Sequence, residues 1–118
     1  MDKKRVYISL PITGYELQER KEYAKRTASK VREYLTEQGA KDFEVITPFD
    51  ICSEEGLTYA QYMARDIEIL MESHLVYLCK GWYDSTGCRI EWFIAERMGI
   101  PIIREAHYFP TLREPIFK

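Results

Sequence analysis

Histidine, cysteine, proline and glycine are all scarce in this chain, at two, three, five and six of 118 residues. The cysteines, Cys52, Cys79 and Cys88, are an odd number without a Cys-x-x-Cys pair, and His74 and His107 lie far apart. A zinc site wants four closely spaced soft ligands, so no metal is expected. A domain of this length buries roughly two-thirds of its unfolded surface and needs no disulfide to hold together. Cys79, inside Leu75-Val76-Tyr77-Leu78-Cys79, reads as a small buried hydrophobe. Neither sign of charge dominates: 17 Lys plus Arg stand against 19 Asp plus Glu, a net charge of −2. That excludes the basic excess of a dedicated nucleic-acid binder. Apolar runs such as 75–79 fall far short of the roughly 20 residues that span a bilayer. Met1-Asp2-Lys3-Lys4-Arg5 is a basic start, but only a brief apolar run follows before Glu16 and Glu19, so no signal peptide is read. A cytoplasmic location is the default expectation. Repeats, low-complexity stretches and Gly/Ser linkers are absent too, which implies a single domain over 1–118.

What is present is a balanced globular composition, 46% hydrophobic and 31% charged. Residues 5–10 are rich in β-formers and stop at Pro11, as a first buried strand would. Pro11 to Gly14 carries a turn signature. Over 16–38 the period becomes helical: Ala24, Ala28, Val31 and Leu35 recur on one side, with Glu22, Arg26, Lys30 and Glu33 opposite. Gly39 suits the C-cap. A second strand is expected at 43–47, stopped by Pro48, and a polar connecting loop at 50–56. Thr58 and Gln61 form a capping box for a helix whose apolar stripe is Ala60, Met63, Ala64, Ile67 and Leu70/Met71. A third strand over 75–79, a loop over 81–87, a helix over 88–98 ending at Gly99, and a fourth strand at 101–103 complete the pattern. The tail, with Tyr108, Phe109, Pro110, Pro115, Ile116 and Phe117, shows no period, and such clustered apolar residues often cover a partner. Strands alternating with helices predict an α/β fold: a flavodoxin-like or Rossmann-like open parallel sheet with helices on both faces. Ligands of such folds sit beyond the carboxyl ends of the strands, where strand order reverses. Attention therefore falls on the loops at 9–15, 48–58 and 80–87.

Three features in those regions bear on chemistry. Ser9-Leu10-Pro11-Ile12-Thr13-Gly14 either cradles a phosphate or sugar with backbone N–H groups or is an ordinary strand-to-helix turn. It is neither GxGxxG nor a P-loop, so it gives nucleoside triphosphate or dinucleotide chemistry no direct support. Asp66 sits mid-helix, apart from the apolar stripe, on the face shared with Tyr59 and Tyr62. It is either an acid beside aromatic rings with a raised pKa or a solvated member of a patch with Arg65 and Glu68. Glu91 follows Ser85-Thr86-Gly87 near a helix N-terminus, among Ile90, Trp92, Phe93 and Ile94. An isolated acid in an apolar stretch has either a structural partner or a purpose. Two carboxylates on neighbouring helices at one sheet edge suit cleavage of a glycosidic bond, one attacking the anomeric carbon and one protonating the leaving group.

The stretch from Val6 to Gly14, Asp66 with Leu70, and Ser85-Thr86-Gly87-Cys88-Arg89-Ile90-Glu91 resemble the nucleoside 2-deoxyribosyltransferase superfamily, which includes 2'-deoxynucleoside 5'-phosphate N-hydrolases. The resemblance covers roughly residues 5–104. It implies Glu91 as the nucleophile at C1', Asp66 as the acid at the departing base, and Tyr7 as the residue that orients the nucleophile. Ser85 matches a loop residue contacting sugar or phosphate. Ser9, Pro11, Ile12, Thr13, Gly14, Tyr62, Gly87 and Arg89 complete the expected substrate-binding set. Leu10 stands where the family often has glycine, which is expected to narrow the space beside a ligand. Thr13 stands near the place of a phosphate-binding arginine, and Arg89 replaces a small residue. The expected activity is N-glycosidic cleavage or transfer on a (deoxy)nucleoside or nucleotide through a covalent glycosyl-Glu intermediate, without a cofactor and in a homo-oligomer. The alternative is a non-catalytic nucleotide sensor on the same fold.

Overall fold

The computed structural model describes residues 3–51 and 55–105. Cys52, His107 and the tail over 106–118, with its expected partner contact, lie outside the described residues.

Four strands, β1 (Lys4–Ser9), β2 (Phe43–Ile46), β3 (Leu75–Leu78) and β4 (Ile102–Arg104), form one parallel sheet in the order β2-β1-β3-β4. β1 is therefore central, with Val6 opposite Val45 on one side and Leu75 on the other. The chain leaves β1 in one direction to reach β2, then crosses back to β3. That reversal is the point where ligands collect in open parallel sheets. The fold is the flavodoxin-like α/β arrangement expected from the alternating pattern.

Alternation along β1 sorts its side chains into two cores. Val6, Ile8 and Leu10 face α1 (Leu17–Glu37), where Ala24 and Val31 meet them together with Cys79. Tyr7 faces the other way, into a cluster with Leu70 of α3 (Tyr59–Met71), Val76, Leu78, and Ala95 of α4 (Thr86–Met98). Each fully buried aliphatic side chain contributes about 1.5–3 kcal/mol. The two cores make three layers, α1 on one face and α3 with α4 on the other. Leu10, 4% exposed, belongs to the α1-side core. Its side chain packs on the face of β1 opposite to that of Tyr7 and Ser9.

The helix ends follow the sequence chemistry. Thr58 Oγ1 accepts from the Gln61 N–H at 3.1 Å, and the Gln61 side chain accepts from the Thr58 N–H at 2.9 Å. Ser85 caps α4 by accepting from the Cys88 N–H at 3.2 Å. The expected loop after β2 begins instead with a four-residue helical turn, α2 (Pro48–Ile51). Asp50 organises it by accepting from the Thr47 N–H and hydroxyl, with proline suited to the first position. The loop before α4 likewise holds one 3-10 turn, Trp82–Asp84.

Two helix faces differ from expectation. On α3, Ala60, Ala64 and Met71 are exposed, whereas Met63, the half-buried Asp66 and Leu70 turn inward. On α4, Ile90 and Phe93 are exposed at 37% and 50%, while Glu91 between them is only 4% exposed. In both helices an acid occupies a place that patterning gives to an apolar residue. Among the described residues no helix is long and apolar enough to cross a membrane. Nor is any group of three or more His, Cys, Asp or Glu side chains among them arranged to hold a metal ion.

Candidate active site

Tyr7 and Ser9 lie two apart on β1 and so project from the same side of the sheet. α4 crosses that side and delivers Glu91 between them. Tyr7 Oη donates to Glu91 Oε2 at 2.8 Å, and Ser9 Oγ donates to Glu91 Oε1 at 2.6 Å. Both hydroxyl residues are fully buried. Each carboxylate oxygen thus has its own donor, in an interior where hydrogen bonds to a charged acceptor are short and strong.

Burial pushes the Glu91 carboxyl up to about 7, the bonds from Ser9 and Tyr7 oppose that rise, and the charge of Asp66 adds to it. Asp66, reaching in from α3, is itself pushed up to about 7 by burial. Tyr7 is driven well above the usual phenol range by burial and by the Glu91 and Asp66 charges, so it stays protonated and donates. Burial likewise raises the Cys88 thiol to about 11, although hydrogen bonds with Ser85 and Ser9 act the other way. Both acids are thus pushed up towards neutrality, Asp66 by burial and Glu91 by burial and, to a lesser degree, by the Asp66 charge. Apparent pKa values belong to such a pair as a whole.

Beside the acids an open cleft of about 350 Å³ is lined by Thr13, Tyr59, Asp84, Ser85, Thr86 and Gly87. Glu91, Asp66 and Tyr7 are not in its lining. Tyr59 connects the two regions: its ring lines the cleft, and the charges of Glu91 and Asp66 act on its phenol, which burial also raises. Gly87 permits this closeness. A Cβ there would meet Tyr59 Oη at 3.1 Å and Met63 Sδ at 3.4 Å, tighter than ordinary contact. Glycine lets the first turn of α4 press against α3.

The structure brings Glu91, Asp66 and Tyr7 together as one buried group, and places Thr13, Ser85 and Gly87 in the lining of the neighbouring cleft. Other expected substrate contacts fall elsewhere. Ser9 is spent on Glu91. Pro11 is buried, and its carbonyl accepts from Arg20 Nη1 at 3.1 Å. Ile12 packs against the α1-side core. Gly14 is exposed in the turn closed by the Tyr15 N–H to Ile12 carbonyl bond of 3.1 Å. Tyr62 is 36% exposed on α3. Arg89 is exposed on α4 and absent from the cleft lining. Sequence reasoning put Tyr59 on the Asp66 face and Asp84 and Thr86 in a candidate loop but counted none of the three among the substrate contacts. The signals were the seven-residue step from Tyr59 to Asp66 and the run of polar residues leading into Gly87.

A parallel α/β sheet with a buried, doubly hydrogen-bonded glutamate beside a second acid at its switch point defines a small α/β domain with a paired-carboxylate site. By sequence the chain belongs to the family described as a domain of unknown function (DUF4406), whose model matches residues 4–104. That span contains every residue of the site. No curated protein matches the chain.

Proposed function

We propose that the protein cleaves or transfers the N-glycosidic bond of a (deoxy)nucleoside or nucleotide through a covalent intermediate on Glu91. The observation that supports this reading most is the Glu91 carboxylate, 4% exposed and gripped on both oxygens by Tyr7 and Ser9, with Asp66 beside it. A buried acid held this firmly is pre-oriented for attack. A second acid that holds its proton to about pH 7 is equipped to give it up.

In the first step a Glu91 oxygen forms a bond to C1' and the C1'–N bond breaks. The bonding electrons leave with the base, which takes the Asp66 proton. In the second step water or another base attacks C1', Glu91 departs as carboxylate, and Asp66 recovers a proton from the incoming group. Retaining glycosidases follow the same two-step logic with their carboxyl pair. The chemistry uses no cofactor. The setting we propose is a cytoplasmic homo-oligomer.

The test is a panel of nucleosides and nucleotides incubated with purified protein, with free base read by chromatography. A 2'-fluorinated substrate should leave a mass adduct on the peptide holding Glu91, and E91Q should abolish both adduct and turnover. Full turnover by E91Q would overturn the nucleophile assignment. Tight binding of a nucleotide with no cleavage across the panel would replace the enzyme by a sensor.

A further inference from the structure

Ser9 lies in the stretch that the sequence marks for ligand contact, yet its side chain is fully buried. A serine hydroxyl has one proton, and here that proton goes to Glu91 Oε1 at 2.6 Å. None is left to donate to a substrate. Its oxygen is also hydrogen-bonded with Cys88, whose thiol stays protonated. The Ser9 proton is therefore committed to Glu91 Oε1. On the other oxygen the Tyr7 phenol does the same work from the same strand face.

We propose that Ser9 is a positioning residue which, paired with Tyr7, fixes the rotamer of Glu91 and holds its carboxylate ready in the anionic form. The groups facing Glu91 are Tyr7 and Ser9 from β1, Cys88 from α4, and Asp66 and Tyr59 from α3. Among them, Tyr7 and Ser9 favour the anion through hydrogen bonds, and Asp66 opposes it by charge. Removing the Ser9 hydroxyl leaves the burial penalty and the Asp66 repulsion in place but deletes one of the two opposing donors. The carboxylate becomes more basic and free to turn. The role in catalysis rests on the proposed function; the hold on Glu91 does not.

The experiment reads the carboxylate directly, by carbon-13 NMR titration of the side-chain carboxyl of Glu91, identified by its loss in E91Q. In S9A the Glu91 midpoint should rise by about one pH unit, a tenfold gain in proton affinity. S9T, which keeps the hydroxyl, should return it towards the wild-type value. If S9A does not fold, S9C keeps the volume with a weaker donor and should move the midpoint the same way by less. An unchanged midpoint in a folded S9A or S9C overturns the proposal, because a purely packing role would alter melting temperature without moving it. On a substrate found by the panel, S9A should lower kcat about 10- to 100-fold with little change in KM. A shifted midpoint in a protein that cleaves nothing supports the Ser9 assignment and overturns the enzymatic reading alone.

Discussion

At the scale of single residues, Glu91 is held between opposing influences. Burial and the Asp66 charge favour its acid form, and two hydroxyl donors favour its anion. In the proposed reaction Glu91 must be ionised while Asp66 is protonated, so the productive state of the pair carries one proton. With both groups placed near 7, that state is most populated around neutrality. kcat/KM on an identified substrate should therefore follow a narrow bell. In D66N the basic limb should disappear, since no acid remains to lose its proton. The acidic limb, which reports Glu91 while Asp66 still holds its proton, should stay close to its wild-type position. Its rate should fall by about 10² to 10⁴ with poor leaving bases and by less with activated ones. E91Q should lose several orders of magnitude with every base. A basic limb that persists in D66N would show that Asp66 is not the acid that sets it.

At the scale of elements, the cleft depends on two loops that α1 ties together. Arg20, in the first turns of α1, is 6% exposed. Its guanidinium lies 4.2 Å from the Tyr15 ring centre and 4.5 Å from that of Tyr23, and it donates to the Pro11 carbonyl. Tyr15 and Pro11 in turn sit against Gly81: a Cβ there would lie 3.5 Å from Tyr15 Oη and 3.6 Å from Pro11 Cγ. Gly81, at φ +81°, also has a backbone that side chains strain to adopt. Thus the loop bearing Thr13 and the loop bearing Asp84 and Ser85 are braced through one arginine. R20M should destabilise the fold by about 1–3 kcal/mol, because the Pro11 carbonyl loses its charged donor. Hydrogen exchange at the Tyr15 amide should quicken as the turn loosens. R20K should not rescue it fully, since an ammonium cannot lie flat between two rings. Protection of Tyr15 that survives R20M would disprove the brace. Patterning could not show Arg20, because a charged residue on a helix reads as solvated. The strands and α1 were legible, since Val6, Ile8, Val76 and Leu78 need burial and Ala24, Ala28 and Val31 keep a helical step. The inner face of α3 was misjudged for a related reason. Asp66 broke the apolar stripe, and Ala60 and Ala64, too small to mark a face, stood in for it. Tyr7 was visible through resemblance, and Glu91 also as an isolated acid among Ile90, Trp92, Phe93 and Ile94. The role of Ser9 was legible only by counting two from Tyr7 along an alternating strand.

At the scale of the whole molecule, gathering two acids at the covered edge of the sheet has a consequence for stability. The ordinary values are 3.8 for Asp66 and 4.5 for Glu91, and folding raises both to about 7. Below about pH 4 folded and unfolded chains both hold these protons, and the two groups do not weaken the fold. As pH rises from about 4 to 7 the unfolded chain releases them first, so the folded state loses stability through that window. Above about 7 both states are ionised and the loss is complete. Asp66 is the cleaner test, because burial is the cause of its rise. D66N carries no charge to desolvate and should melt a few degrees higher than wild type at pH 8. The gain should shrink as pH falls and vanish near pH 4, where the wild-type side chain is neutral as well. Thermal melts of the two proteins across pH 4–8 measure this difference, with the effects of all other carboxylates common to both. A D66N protein that melts lower than wild type at pH 8 would mean the aspartate supports the fold. In that case its place on the inner face of α3 would be structural. A gain that follows the predicted window would mean that folding tolerates an acid it would be more stable without, as expected of a group retained for chemistry.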